Sequence, residues 1–422
     1  MNPKLRLQLR SFVKRVLGLQ NNGGRSSTWI GYTSDALQLA EVIDCSLADL
    51  REVQQHPERV CPGIEEQRAH WYVPPFDNPY YGGVMTILRF AAHMRARGIQ
   101  QRFLVCGAAD TGKLHDAIVQ AFPDLGDAEV VALDSVAALE EIAPADFSFA
   151  TLWTTAYVLL RVRNTGLKFY FMQDYEPLFY PAGSTYAQAE LTYQFGFIGL
   201  ANTRSVAQTY IEQYGGEAHA IAPCIDPLVF HPPDAPRPES PRRVFYYARP
   251  GIPRNGFELA AAGLRRLKAR LGDRVVISCA GAAWDPADYG LSGVVEPLGL
   301  LPYRETGALY RRSHIGLVMM MTHHPSYLPF ELMGCGSLVV ANRNAGNSWL
   351  LKDRENCLLA PASATALAET LIDAVENWDA YNAIRERAVL DITTRHADWN
   401  RELENAFAYV QACGNRSGRP LQ

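Results

Sequence analysis

Between residues 315 and 341 the chain runs through an apolar stretch, a polar loop, a short helix opened by a proline, a glycine turn and a second apolar stretch. Residues 315–321 have strand length, and residues 338–341 form the next strand. The segment between them is His323-His324-Pro325-Ser326-Tyr327-Leu328-Pro329-Phe330-Glu331-Leu332-Met333-Gly334-Cys335-Gly336. Pro329 suits the first turn of a helix and sets Glu331 near its N-terminus, while Gly334 and Gly336 stop it. Strand, helix and strand in one such span call for a parallel α/β sheet. Open sheets of this kind bind ligands beyond the C-terminal ends of their strands, which is where Glu331 falls. Two readings of Glu331 stand: a carboxylate facing a ligand, or a charge that complements the helix dipole.

The same alternation fills most of the chain. Strands are expected at 70–73, 102–106, 129–133, 147–152, 168–172, 197–200 and 217–222, and again at 244–248, 274–279 and 293–298. Helices are expected over 84–97, from near Ser184, over 204–214 behind an Asn202-Thr203 cap, from Phe257 on, and over 303–312 and 344–351. Further helical patterns fill 365–410. Prolines crowd 223–241 and mark a linker. At 422 residues and 48% hydrophobic, the chain has room for two cores. The division expected is an N-terminal extension over 1–65, a domain over 66–230, a second over 231–395 and a closing helix over 396–422.

Composition removes several classes of function. A net charge of −4 gives no overall basic signal for nucleic acid. The eight cysteines are scattered, several inside apolar runs, with no metal-ligand spacing, so neither zinc nor a disulfide framework is expected. Thiols of this kind point to a reducing, cytoplasmic compartment. No stretch approaches the length of a membrane span. Residues 1–34 carry six cations (Lys4, Arg6, Arg10, Lys14, Arg15, Arg25) and no acid, with Leu5, Leu9, Phe12, Val13 and Val16 on one helical face. Either a helix lying on an anionic membrane surface or a solvated helix fits that pattern.

Polar groups at strand ends are the candidate site residues. Gly82 and Gly83 open a helix, where backbone N–H groups approach a ligand closely. Residues 107–114 come near a phosphate-binding P-loop, but Leu114 stands where Ser or Thr would hold magnesium, and a plain strand-to-helix turn fits better. Asp174 and Glu176 follow a strand. They admit three readings: a metal pair, contacts to a sugar, or a cap for the helix near Ser184. Arg249 and Arg254, with Gly251 and Gly256 between and after them, suit a diphosphate held bidentately at a helix start.

The residues from His323 to Gly336 resemble the carboxylate motif of family 4 glycosyltransferases, and the version with His-Pro-Ser-Tyr is closer to the rhamnosyltransferase WsaF group. Glu331 takes the second carboxylate position, and His323 stands where the first Glu would be. Arg249 and Arg254 keep the spacing of the family's Arg and Lys, with Asn255 inserted before Gly256. The resemblance runs from about 70 to 400. It implies the GT-B fold, two Rossmann-like doubly wound parallel-sheet domains facing a cleft. It further implies transfer of a deoxyhexose, L-rhamnose from dTDP-L-rhamnose, to a hydroxyl of a growing surface polysaccharide, with retention of configuration. By the same resemblance Arg249 and Arg254 neutralise the departing diphosphate without a metal, and Glu331 holds the ribose. Gly82 and Gly83 meet the sugar-phosphate, and Gly299 and Leu300 lie beside the base. His323, His324, Ser326 and Tyr327 complete the nucleotide-sugar site, with Asp174 and Glu176 orienting sugars. No cofactor beyond the donor substrate is implied. A 2-epimerase acting on sugar nucleotides shares this fold and would release free UDP without an acceptor. A non-catalytic subunit of a glycan-assembly complex is the other alternative.

Overall fold

The computed structural model describes residues 36–55 and 67–416, apart from 77, 81, 108 and 134–136. The basic segment over 1–34 lies outside the described residues. Two compact units emerge, one taking the described residues up to Ile221 together with those from Arg401 on, the other Ala222–Asn400.

The first unit is built on seven strands: β1 (Arg68–Val73), β2 (Gln100–Cys106), β3 (Glu129–Leu133), β4 (Ala145–Ala150), β5 (Thr165–Met172), β6 (Ile198–Ala201) and β7 (Ala218–Ala220). They pair in the order β3-β2-β1-β4-β5-β6-β7, every pair parallel. Strand direction never reverses, so helices return the chain across both faces and the central strands read as continuous apolar runs. Trp71 on β1 is fully buried and stacks on Phe149 of β4 with ring centroids 4.2 Å apart. Its indole N–H donates to Gln101 Oε1 at 2.7 Å, so the ring is buried without an orphaned donor. Asp110 caps the Thr111–Ala121 helix by accepting from Lys113 N, the plain strand-to-helix turn expected of residues 107–114.

Thr203 accepts from Val206 N and caps the Arg204–Tyr214 helix, while Asn202 instead donates to Gln173 Oε1 at 3.1 Å. Thr203 is fully buried. Thr203→Ala is therefore expected to cost about 1 kcal/mol, read as a lower urea midpoint at unchanged slope.

The second unit has six strands: β8 (Arg242–Tyr247), β9 (Val275–Ala280), β10 (Glu296–Gly299), β11 (Ile315–Val318), β12 (Leu338–Asn342) and β13 (Leu358–Ala360). Their order is β10-β9-β8-β11-β12-β13, again all parallel. The chain winds outward from β8 to β10, then returns to lay β11 on the other side of β8. Neighbouring strands whose connections leave in opposite directions open a crevice at their C-terminal ends. That switch point falls between β8 and β11 here, and between β1 and β4 in the first unit.

Three expected elements differ: the strand expected over 293–298 begins only at Glu296, after a turn, and two more change for identifiable reasons. The strand expected over 315–321 stops at Val318, because the Asn342 side chain takes the next rung of the ladder. Asn342 Oδ1 accepts from Met320 N at 2.8 Å, and its Nδ2 donates to Met320 O at 2.9 Å. The helix expected over 344–351 is a single 3-10 turn, Ala345–Asn347. Asn344 spends its amide across the sheet end, donating to Met320 O and Thr322 O while accepting from Gly346 N, which favours a turn over a helix.

Candidate active site

Adjacent strands bring the two candidate loops of the second unit together. The chain leaves β8 through Ala248, whose N–H still bonds Ala280 O, and reaches Arg249. A 3-10 turn, Pro253–Asn255, carries Arg254, and Gly256 closes it with φ at 52°. The loop after β11 packs against this turn: Met321 N donates to Arg254 O at 2.8 Å. A Cβ on Gly256 would lie 2.7 Å from Met321 Cε, so glycine answers both the backbone angle and the close approach.

The polar loop continues through His323 and His324. Gly346 comes so close that a Cβ there would stand 3.0 Å from the His323 Cα. His324 is buried, and its Nδ1 accepts from Ser326 N at 2.8 Å, which leaves Nε2 to carry the ring proton. Burial, and then the nearby Arg254 charge, hold this imidazole neutral, with its pKa pushed down to about 3. Ser326 bends through the left-handed region with φ at 68°, an unusual state for a residue with a Cβ and one that clusters at ligand sites. Tyr327 is buried, 6.2 Å from Trp399 between ring centroids.

Glu331 stands in the first turn of the Leu328–Gly334 helix. This helix is seated tightly, since a Cβ on Gly316 of β11 would lie 2.3 Å from Leu332 Cδ1. Desolvation pushes the Glu331 carboxyl up to about 8, and Tyr310, itself raised first by burial, feels the Glu331 charge next. Such a carboxyl gives up part of its hydration and recovers it only from a partner with hydroxyl or N–H groups. Gly299 ends β10 with φ at 67° and accepts from Gly281 N, while the next residue, Leu300, is 60% exposed. The second unit thus gathers Arg249, Arg254, His324, Ser326, Tyr327 and Glu331 on neighbouring elements at one end of its sheet.

In the first unit, Gly82 and Gly83 form the first turn of the Gly82–Arg95 helix. A Cβ on Gly83 would stand 3.2 Å from Gln173 Oε1, so the Gln173 side chain lies close against this turn. Sequence reasoning passed over Gln173, although it immediately precedes Asp174 at the end of β5. Asp174 is buried, with Oδ1 accepting from Tyr175 N at 2.8 Å. Glu176 is fully buried and does not present its carboxylate at the surface. Its Oε2 accepts from Trp153 N at 2.6 Å and from the Tyr170 hydroxyl at 3.0 Å. Of the three readings left open, a helix cap describes this carboxylate. The helix it caps is Trp153–Arg161, whereas the Ser184–Leu191 helix starts at Gly183 without a side-chain cap. Among the described residues, no group of three or more His, Cys, Asp or Glu could hold a metal ion. No described helix is long and apolar enough to cross a membrane.

Comparison with known proteins covers both units. Residues 73–204 match the profile of the WsaF N-terminal domain, and residues 242–372 that of the WsaF C-terminal domain. The O-antigen biosynthesis protein RfbC of Myxococcus xanthus is 41% identical over 347 residues, which are 81% of this chain and 27% of that protein. The chain therefore spans about a quarter of that relative's length. Among solved structures, HepE of Anabaena in complex with UDP and glucose gives a TM-score of 0.63 at 16% identity, over 82% of this chain and 100% of that one. Sucrose-phosphate synthase of Thermosynechococcus elongatus gives 0.63 at 14% identity, over 83% and 100%. A Listeria monocytogenes protein assigned as a UDP-N-acetylglucosamine 2-epimerase gives 0.57 at 11% identity, over 85% and 99%. At these identities the likeness establishes the fold, GT-B, and nothing finer.

Proposed function

The chain belongs to the WsaF family, and from that premise we propose that it is a glycosyltransferase of surface-polysaccharide synthesis. The observation that carries this reading is the placing of two arginines after β8 and of a desolvated carboxyl after β11, the two strands that flank the switch point of the second sheet. Guanidinium groups of Arg249 and Arg254 neutralise the diphosphate as it departs, a task metal ions perform elsewhere. Glu331 accepts from the ribose hydroxyls, and the neutral His324 donates through Nε2 to a phosphate or sugar oxygen. Glu176 acts as a positioning residue, holding the Trp153 helix and the β5 loop in register, and Asp174 shapes the same loop. The name carried by the Myxococcus relative supports a surface glycan as the product. The donor in this reading is dTDP-L-rhamnose, transferred with retention, and His323 in place of a carboxylate suits a 6-deoxy sugar that lacks one hydroxyl.

Thermal unfolding in EDTA, across dTDP-L-rhamnose, UDP-glucose, UDP-N-acetylglucosamine and the free nucleotides, tests this directly. A donor at 100 times its Kd stabilises the native state by about 2.7 kcal/mol, well within reach of a melting curve. The expected result is the largest rise with dTDP-L-rhamnose and transfer that survives EDTA. Stabilisation by none of the panel, or turnover that returns only with added magnesium or manganese, sinks the reading. Release of free UDP without acceptor identifies an epimerase instead.

A further inference from the structure

We propose that Tyr247 is a positioning residue that orients Arg249 toward the donor diphosphate, an inference that rests on the reading of Arg249 above. Tyr247 is the last residue of β8. Its predecessor Tyr246 is buried and packs on Phe257, whereas Tyr247 is half-buried and leaves one face of its ring to the strand end. The ladder runs one residue further, through Ala248 N to Ala280 O at 2.8 Å, so strand pairing carries on past Tyr247 to the residue before Arg249. Side chains two residues apart on an extended chain emerge on the same side. Accordingly, Arg249 Cζ lies 6.0 Å from the centroid of the Tyr247 ring.

The ring itself is held by a glycine on the neighbouring strand end. A Cβ on Gly281 would stand 2.5 Å from Tyr247 Cε2 and 2.7 Å from Cδ2, so only glycine leaves the ring its place. Gly281 is fixed in turn, with φ at 120° and its N–H bonded to Gly299 O at 2.9 Å. Gly299 and Leu300 belong to the loop expected beside the base. The chain of contact therefore runs from that loop through Gly281 and Tyr247 to Arg249. A long arginine side chain has many rotamers open to it, and a ring face with negative potential narrows them before the phosphate arrives. Among the described residues the Tyr247 hydroxyl makes no hydrogen bond, so the ring face is the working part.

Four proteins test this: wild type, Tyr247→Leu, Arg249→Ala and the double variant, with Tyr247→Phe as a fifth. Binding of dTDP, or of UDP if that stabilises the wild type more, is measured by calorimetry alongside kcat. Tyr247→Leu should weaken nucleotide binding roughly 3- to 30-fold, the range of a cation–π contact, and Tyr247→Phe should stay within about twofold of wild type. In the Arg249→Ala background, Tyr247→Leu should add no further loss. Equal losses in both backgrounds, or a Phe variant as poor as Leu, overturn the positioning role while leaving the diphosphate site standing. Normal binding and turnover by Arg249→Ala overturn both together.

Discussion

Replacing Arg254 by alanine should lower kcat by about two to three orders of magnitude with the fold intact. The guanidinium meets a leaving group whose charge grows along the reaction, so the contact strengthens toward the transition state. Loss of one such contact costs about 2–4 kcal/mol of transition-state stabilisation. The Arg254 backbone is separately fixed, through its carbonyl and Met321 N, so truncation of the side chain leaves the turn in place. Arg254→Lys should recover part of the rate, because a point charge still neutralises phosphate. Arg249→Ala should also be slow, and Arg249→Lys should recover less, since an ammonium loses the bidentate fork that a guanidinium offers a diphosphate. Steady-state kinetics with circular dichroism as the control decides the matter. Two alanine variants at near-normal rates would remove the diphosphate site and the main support for glycosyl transfer.

Glu331 should make stability fall as pH rises. Its carboxyl has an ordinary value of 4.5, which the unfolded chain regains, and burial lifts it to about 8 in the native state. Between those values the folded protein holds a proton that the unfolded chain has released, so the slope of stability against pH is negative there. The penalty is absent below about 4.5, grows through neutral pH and levels off above 8. Because Glu331 keeps some solvent contact, about 2–4 kcal/mol is a fair magnitude. His70 and His324, both held near 3 by burial, pull the other way below about 6.5, since the unfolded chain binds their protons more readily. A difference curve isolates the carboxyl. Urea unfolding of wild type and Glu331→Gln from pH 5 to 9 should show the variant gaining relative stability as pH rises. Parallel profiles would mean that Glu331 is ionised in the folded protein.

Much of the fold was legible because a parallel sheet writes its strands as apolar runs closed by turn residues. Thr203 and the helices after Gly82 and Phe257 were readable for the same local reason. Charged residues just past a strand end, such as Arg249 and Arg254, stand out because nothing in a buried strand explains them. Contacts across the sequence left no such mark. Glu176 looked like a ligand residue because its two buried partners, the Trp153 amide and the Tyr170 hydroxyl, lie on other elements. Tyr247 drew no notice inside the strand expected over 244–248, because its glycine clearance comes from 34 residues away, at Gly281. Asn342 and Asn344 misled side by side at the end of β12, each replacing backbone partners with a side-chain amide.

The Asn342 amide has one more consequence. By standing in for a strand residue at Met320, it lets the sheet finish its hydrogen bonding before the loop begins. Residues 322–327 then follow a strand end closed by Asn342, with Thr322 O held separately by Asn344. A substitution at His323 or Ser326 therefore leaves the end of β11 closed, since the Asn342 amide and not the loop supplies that last rung. In that single asparagine the second sheet has a socket whose fit does not depend on the loop it carries.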